Sequence, residues 1–119
     1  MQNKLNKVFL LVFFMLTAML NAQTKVIAHR GYWDTPNNAQ NSLQALKMSN
    51  TINAYGSEFD VYITSDGVLV VHHDADIQGV DIERNPYSMI EKLTLQNGET
   101  IPTVEQYFCL LYTSPSPRD

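Results

Sequence analysis

A single cysteine, Cys109, stands alone in the 119 residues, so no internal disulfide can staple the fold. Basic residues are sparse as well. Between Gln23 and Phe108 five Lys or Arg face eleven Asp or Glu, a net of −6, which argues against a nucleic-acid partner. No internal repeat is visible. The uncharged apolar run from Val8 to Leu20 falls short of the roughly 20 residues that span a bilayer. No cysteine lies near the end of that run, so nothing indicates lipid attachment there. What is present is ordinary: 45% apolar residues, in a length that accommodates one small domain.

The two ends of the chain differ from its middle. Lys4 and Lys7 precede the apolar run, and Asn21, Ala22 and Gln23 follow it. A basic start, a short apolar stretch and a small residue at the end describe a secretory signal peptide. Residues 1–22 are expected to be that signal, cut after Ala22. Ala18 is an alternative because Leu20 is bulky, and an uncleaved anchor is the competing reading. A cleaved signal implies a secreted or periplasmic protein with no stable membrane anchor. At the other end, Cys109 to Asp119 matches, codon for codon, the in-frame translation of a transposase-type sequencing adapter. The alternative is a genuine Ser/Pro-rich tail. Native sequence is therefore expected over 23–108, with 109–119 a non-native tail. Thr103 and Gln106 have capping-box spacing, so this boundary falls about one turn into a new helix.

In the middle, Lys25 to Ala28 is a β-prone run ending at His29-Arg30-Gly31, and Tyr32 to Asn38 reads as loop. Ala39 to Asn50 favours a helix, with Asn38 or Asn41 as cap candidates. Gly56 to Thr64 returns to strand, Asp66-Gly67 makes a turn, and Val68 to His73 is a second β-branched run. Asp74 to Pro86 is polar and irregular. A short helix is expected over Ser88 to Leu93, with Ser88 and Glu91 at capping-box spacing, and Asn97-Gly98 marks a further turn. Strand, helix and strand in that order predict an α/β domain with some parallel pairing. The link at Asp66-Gly67 is too short for a parallel crossover, so the strands around it form a hairpin.

Four residues stand out for chemistry: His29, Glu58, Asp60 and His73. Glu58 and Asp60 alternate on a strand and so project from one face. Buried carboxylates in that arrangement need a partner, and a hard cation such as Ca²⁺ or Mg²⁺ is a natural one. A two-residue loop at Asp66-Gly67 would set Asp60 opposite His73. A type I turn with Gly67 as a bulge would set it opposite His72 instead.

Together His29-Arg30-Gly31, Gln40-Asn41-Ser42, Glu58-Phe59-Asp60-Val61, Thr64-Ser65-Asp66-Gly67 and Val70-Val71-His72-His73-Asp74 resemble the signature of the glycerophosphodiester phosphodiesterases. Ile101-Pro102-Thr103 is similar to the next element of that signature. The resemblance implies the N-terminal portion of a distorted TIM (β/α)8 barrel of the PLC-like phosphodiesterase type, truncated after about three strands. Sites in such barrels gather at the C-terminal ends of strands; His29 ends the first strand and Glu58 and Asp60 lie on the second, in keeping with that rule. It further implies His29 and His73 as the acid–base pair, Glu58 and Asp60 as ligands of Ca²⁺ or Mg²⁺, and Arg30 as a phosphate contact. The order of the motif selects His73, immediately before Asp74, over His72. Many members carry Glu where this chain has Gln40, which leaves Gln40 outside the expected site. The implied substrate is a small glycerophosphodiester, with the truncated piece itself inactive. The alternatives are a related barrel phospholipase or sphingomyelinase D-type lyase, and a secreted non-catalytic binding domain.

Overall fold

The computed structural model describes residues 2–19 and 24–113. Helix α1 (Gln2–Met19) carries the N-terminal apolar run. The expected cleavage point at Ala22 lies outside the described residues, as do residues 114–119 of the tail. No helix among the described residues is long and apolar enough to cross a membrane.

The first strand, β1 (Ile27–Ala28), pairs in parallel with β2 (Gly56–Ser57), and the connection between them contains α2 (Leu43–Thr51). The strand–helix–strand expectation is met. The helix starts later than expected, and its cap is neither Asn38 nor Asn41. Ser42 is the N-cap, its hydroxyl accepting from Ala45 N–H at 3.0 Å. Asn41 is not the cap because Ser42 after it is extended, at φ −83° and ψ 157°, and the Asn38 side chain is engaged by Ala39 N–H and the Ser42 hydroxyl. The turn after β1 folds directly onto this helix. Tyr32 N–H donates to Ala45 O at 3.0 Å. Gly31 has φ +78°, and a Cβ there would sit 2.7 Å from Ala45 Cβ and 2.8 Å from the Ala45 carbonyl carbon. Only glycine allows both the conformation and the approach.

The strand expected over 56–64 is two pieces, because the chain leaves β2 at Glu58 and resumes pairing as β3 (Val61–Ile63). Strand β3 forms a hairpin with β4 (Leu69–Val71), pairing Val61 with Val71, Tyr62 with Val70 and Ile63 with Leu69. Of the two registers the sequence allowed, this is the bulged one. Gly67 N–H donates to Thr64 O, Thr64 N–H donates to Val68 O, and Gly67 takes φ +88° as the extra residue. Asp60 therefore faces His72, whose N–H donates to Asp60 O at 3.1 Å, and the two-residue loop that would have paired it with His73 does not form.

The segment read as irregular holds a small hairpin, β5 (Asp76–Ile77) with β6 (Val80–Asp81), turned by Gln78 and Gly79 at φ 52° and 80°. The short helix that follows is α3 (Tyr87–Ile90), capped by Pro86 without a side-chain bond, so the Ser88–Glu91 box does not form. The other box does form. Thr103 N–H donates to Gln106 Oε1 and Gln106 N–H donates to Thr103 Oγ1, opening α4 (Val104–Thr113). That helix continues past Phe108 through Thr113.

Two clusters make the core, and β4 divides them. Val70 packs with Ile77, Ile82, Ile90 and Ile101. Its neighbour Val71 turns the other way, toward Leu46 of α2 and Tyr107 of α4. Successive strand residues face opposite sides, so one β-branched pair serves both clusters. Ile27, Val61, Ile63 and Leu69 stay exposed, and among the described residues the six strands form three separate two-stranded pairs. The chain is thus a partial α/β unit with apolar strand faces open to solvent.

Candidate functional site

The site is built where β1 and β2 end. Phe59 turns inward, its ring 4.9 Å from that of Tyr107. Glu58 and Asp60, on either side of it, both approach Arg30. The Glu58 Oε2 atom accepts from Arg30 N–H at 3.1 Å and lies 3.8 Å from His29 Nε2. The Asp60 Oδ2 atom lies 3.4 Å from Arg30 Nε. The alternation expected of a strand survives here although the ladder is broken. His29, Arg30, Glu58 and Asp60 are brought together, and Arg30 is the member they share.

Their environments differ. The His29 side chain is 70% exposed, whereas that of Arg30 is only 20% exposed. The guanidinium donates Nη1–H to Gln40 Oε1 at 2.7 Å on one side and faces Asp60 as an ion pair on the other, where its buried Nε–H makes no hydrogen bond among the described residues. Arg30 itself sits at φ 59°, a left-handed backbone held in place by Asn41 N–H donating to Arg30 O at 2.9 Å. Each carboxylate keeps one oxygen, Glu58 Oε1 and Asp60 Oδ1, without a hydrogen-bond partner among the described residues.

The paired histidines are held differently from each other. His72 is tied to its own turn, with Nδ1 3.0 Å from Asp74 O and 3.1 Å from Asp74 N. His73 Nδ1 meets the Asp74 carboxylate at 2.8 Å. Among the described residues His73 makes no hydrogen bond or ion pair to His29, Glu58 or Asp60. Four of the five expected residues therefore form one network, and His73 stands apart in its own pair with Asp74.

Two residues were missed, Gln40 and Asn41. Gln40 had been left out of the site, yet it holds the guanidinium. Asn41, considered only as a cap, donates Nδ2–H to Asp60 Oδ2 at 2.9 Å. The available signal was an adjacent amide pair in a loop before an apolar helix, where Asn tolerates the left-handed region.

For a metal ion, Glu58 and Asp60 supply hard carboxylate oxygens of the kind Ca²⁺ and Mg²⁺ take. The described residues include no group of three or more His, Cys, Asp or Glu that could hold an ion. The pair is therefore a partial donor set that fits such a cation and needs other oxygens to complete the shell.

The sequence model of the Glycerophosphoryl diester phosphodiesterase family matches residues 29–113. A curated glycerophosphodiester phosphodiesterase of Caldanaerobacter subterraneus subsp. tengcongensis is 36% identical over 104 residues, which cover 75% of this chain and 41% of that protein. The chain is also similar to the crystal structure of a glycerophosphodiester phosphodiesterase from Parabacteroides distasonis. There the identity is 55% and the TM-score 0.72, over 74% of this chain and 37% of that one. An Oleispira antarctica phosphodiesterase, solved in complex with the product sn-glycerol-3-phosphate, shares the fold at 24% identity and a TM-score of 0.66. The match covers 75% of this chain and 40% of that one. The chain spans about two fifths of the length of these relatives.

Proposed function

This chain belongs to the glycerophosphoryl diester phosphodiesterase family, and from that premise we propose that the whole protein hydrolyses glycerophosphodiesters to sn-glycerol 3-phosphate and an alcohol. The described unit is then the opening part of a distorted (β/α)8 barrel. The observation that carries the reading is the convergence of His29, Arg30, Glu58 and Asp60 where two parallel strands end, the end at which barrel enzymes act.

The hydrogen bonds support one assignment of roles. The Asp74 carboxylate only accepts, so in neutral His73 the proton sits on Nδ1 and the Nε2 lone pair is free. That tautomer suits His73 to take a proton from the substrate's own glycerol hydroxyl, whose attack on phosphorus expels the alcohol and leaves a cyclic phosphate that water then opens to sn-glycerol 3-phosphate. His29, exposed and adjacent to Glu58, returns a proton to the leaving alkoxide. Arg30 keeps guanidinium N–H groups beyond those facing Asp60 and Gln40, and these hold a non-bridging phosphate oxygen. Glu58 and Asp60 would hold Ca²⁺ or Mg²⁺ through their uncommitted oxygens. Bound there, the ion supplies Lewis-acid stabilisation of charge on the phosphoryl oxygens.

The test is hydrolysis of glycerophosphocholine by the whole protein, with and without chelator, beside sphingomyelin and lysophospholipid. Turnover of glycerophosphocholine that chelation abolishes and Ca²⁺ or Mg²⁺ restores is the expected result. Preference for the lipids would move the protein to the related lyases, and no turnover of any of the three would favour a binding domain. Residues 1–22 are proposed as an export signal, read out as a mature N-terminus at Gln23 on the secreted or periplasmic protein. Residues 109–119 are proposed as adapter-derived, and sequencing the source DNA through codon 108 without transposase adapters decides that point.

A further inference from the structure

Asn41 is completely buried, at 0% exposure, and holds a left-handed φ of 60°. Its donors and its side-chain acceptor are all directed at the site. The backbone N–H donates to Arg30 O at 2.9 Å. The side-chain Nδ2–H donates to Asp60 Oδ2 at 2.9 Å, and Oδ1 faces Asp60 N–H at 3.4 Å. The carboxamide thus grips both the side chain and the backbone of Asp60. The left-handed turn at Asn41 lets adjacent amides work on opposite charges, Gln40 on the Arg30 guanidinium and Asn41 on the Asp60 carboxylate.

We infer that Asn41 is a positioning residue, coupling the Arg30 turn to Asp60 so that the carboxylate presents Oδ1 to ligand in one fixed orientation. This rests on the reading of Asp60 as a ligand-facing group. Asn41 touches neither substrate nor reacting atoms in this scheme. It acts through Asp60, as the outer partners of metal-ligating carboxylates do.

Asn41→Gly separates positioning from folding. Glycine adopts the left-handed conformation freely and keeps the N–H bond to Arg30 O, while the carboxamide is lost. In the full chain, the thermal midpoint is expected to fall by only a few degrees, for the buried side-chain bonds lost. Hydrogen exchange at Asp60 N–H should speed up about tenfold or more, with Val71 N–H, bonded to Pro102 O, unchanged. Ca²⁺ affinity by calorimetry, and kcat/KM in the whole protein, should each fall about 10–100-fold. Asn41→Asp keeps size and backbone preference but sets a second carboxylate against Asp60 Oδ2, and should fall further than Asn41→Gly. Wild-type exchange at Asp60 together with wild-type Ca²⁺ affinity in Asn41→Gly overturns the inference. So does equal loss of protection at Asp60 and Val71, which would make Asn41 a scaffold residue only. If wild type binds no Ca²⁺, the metal reading above fails, and the exchange comparison alone then decides for or against Asn41.

Discussion

Asp60 and Asp66 flank the same short strand, β3, and both belong to motifs that carry the family resemblance, yet their bonds lead to different parts of the fold. One oxygen of Asp60 is gripped by Asn41 and Arg30, and its other oxygen is uncommitted among the described residues. In Asp66 a single oxygen accepts the Thr64 hydroxyl at 2.6 Å and Tyr87 N–H at 2.9 Å. Asp66 thereby pins the hairpin turn to the start of α3, a link reinforced by Ser65 N–H donating to Asn85 O at 3.0 Å. The Thr64 hydroxyl and then Tyr87 N–H hold the Asp66 carboxyl below the usual carboxylate range. A recurring acidic motif is therefore not by itself a sign of chemistry. What separates the two is where the bonds lead, to the Arg30 turn and its neighbouring amide for Asp60 and to the start of α3 for Asp66.

The contrast can be broken most sharply at Asp60. Asp60→Asn in the whole protein should lower kcat/KM about a thousandfold, equivalent to about 4 kcal/mol, without moving the denaturation midpoint. A lowered midpoint with near-normal turnover would place Asp60 with the scaffold. Next in size is Gly31→Ala, which forces a left-handed alanine against Ala45 and should cost about 2–4 kcal/mol in denaturant unfolding. Ala45→Gly in the same chain should restore only part of this, because the Ala45 backbone carbon and oxygen would still lie 2.8 and 2.9 Å from the added Cβ. Asp66→Asn should show the reverse of Asp60→Asn, a lowered denaturation midpoint with site chemistry intact. The Asp66 pKa is depressed on folding, so its contribution is present above the ordinary value of 3.8 and lost as pH falls through the lower folded value. The midpoints of wild type and Asp66→Asn should accordingly converge in acid, and a gap independent of pH would refute the charge argument. Smallest is Thr103→Ala, which removes half of the α4 capping box at about 1 kcal/mol, measured as a shift in urea midpoint.

Sequence reasoning reached the parts set by local chemistry. The glycine turns at Gly67 and Gly98 and the Thr103–Gln106 box depend on residues close in the chain, and the parallel start follows from the order of strand, helix and strand. The convergence of Glu58 and Asp60 was legible because alternation fixes their face even where ladder pairing stops. The hairpin register was not, since Asp66-Gly67 suits both a two-residue loop and a bulge. The bulged form is the one that carries the tertiary bonds of Asp66 to Tyr87 and of Ser65 to Asn85, which lie beyond the turn's own residues. The Gln78-Gly79 hairpin went unseen because its strands are two residues each and draw their stability from Ile77 and Ile82 in the core. Gln40 and Asn41 were missed as site residues for a similar reason. Their partners lie across the fold, and only the left-handed turn at Asn41 aims them there.

The phenol of Tyr107 gives the chain an optical witness to its own integrity. It is fully buried, donates to Ser42 O at 3.0 Å, and so joins α4 to the first residue of α2's cap. Burial, with the charges of Glu99 and Glu58 adding to it, raises its ionisation far above the ordinary 10.0. Below about pH 10 this preference for the neutral form stabilises the fold, and above it the advantage drains away as the unfolded chain ionises first. An alkaline titration followed by tyrosinate absorbance tests this raised ionisation. The last phenolate to appear should be that of Tyr107, and its appearance should coincide with the loss of helical circular dichroism.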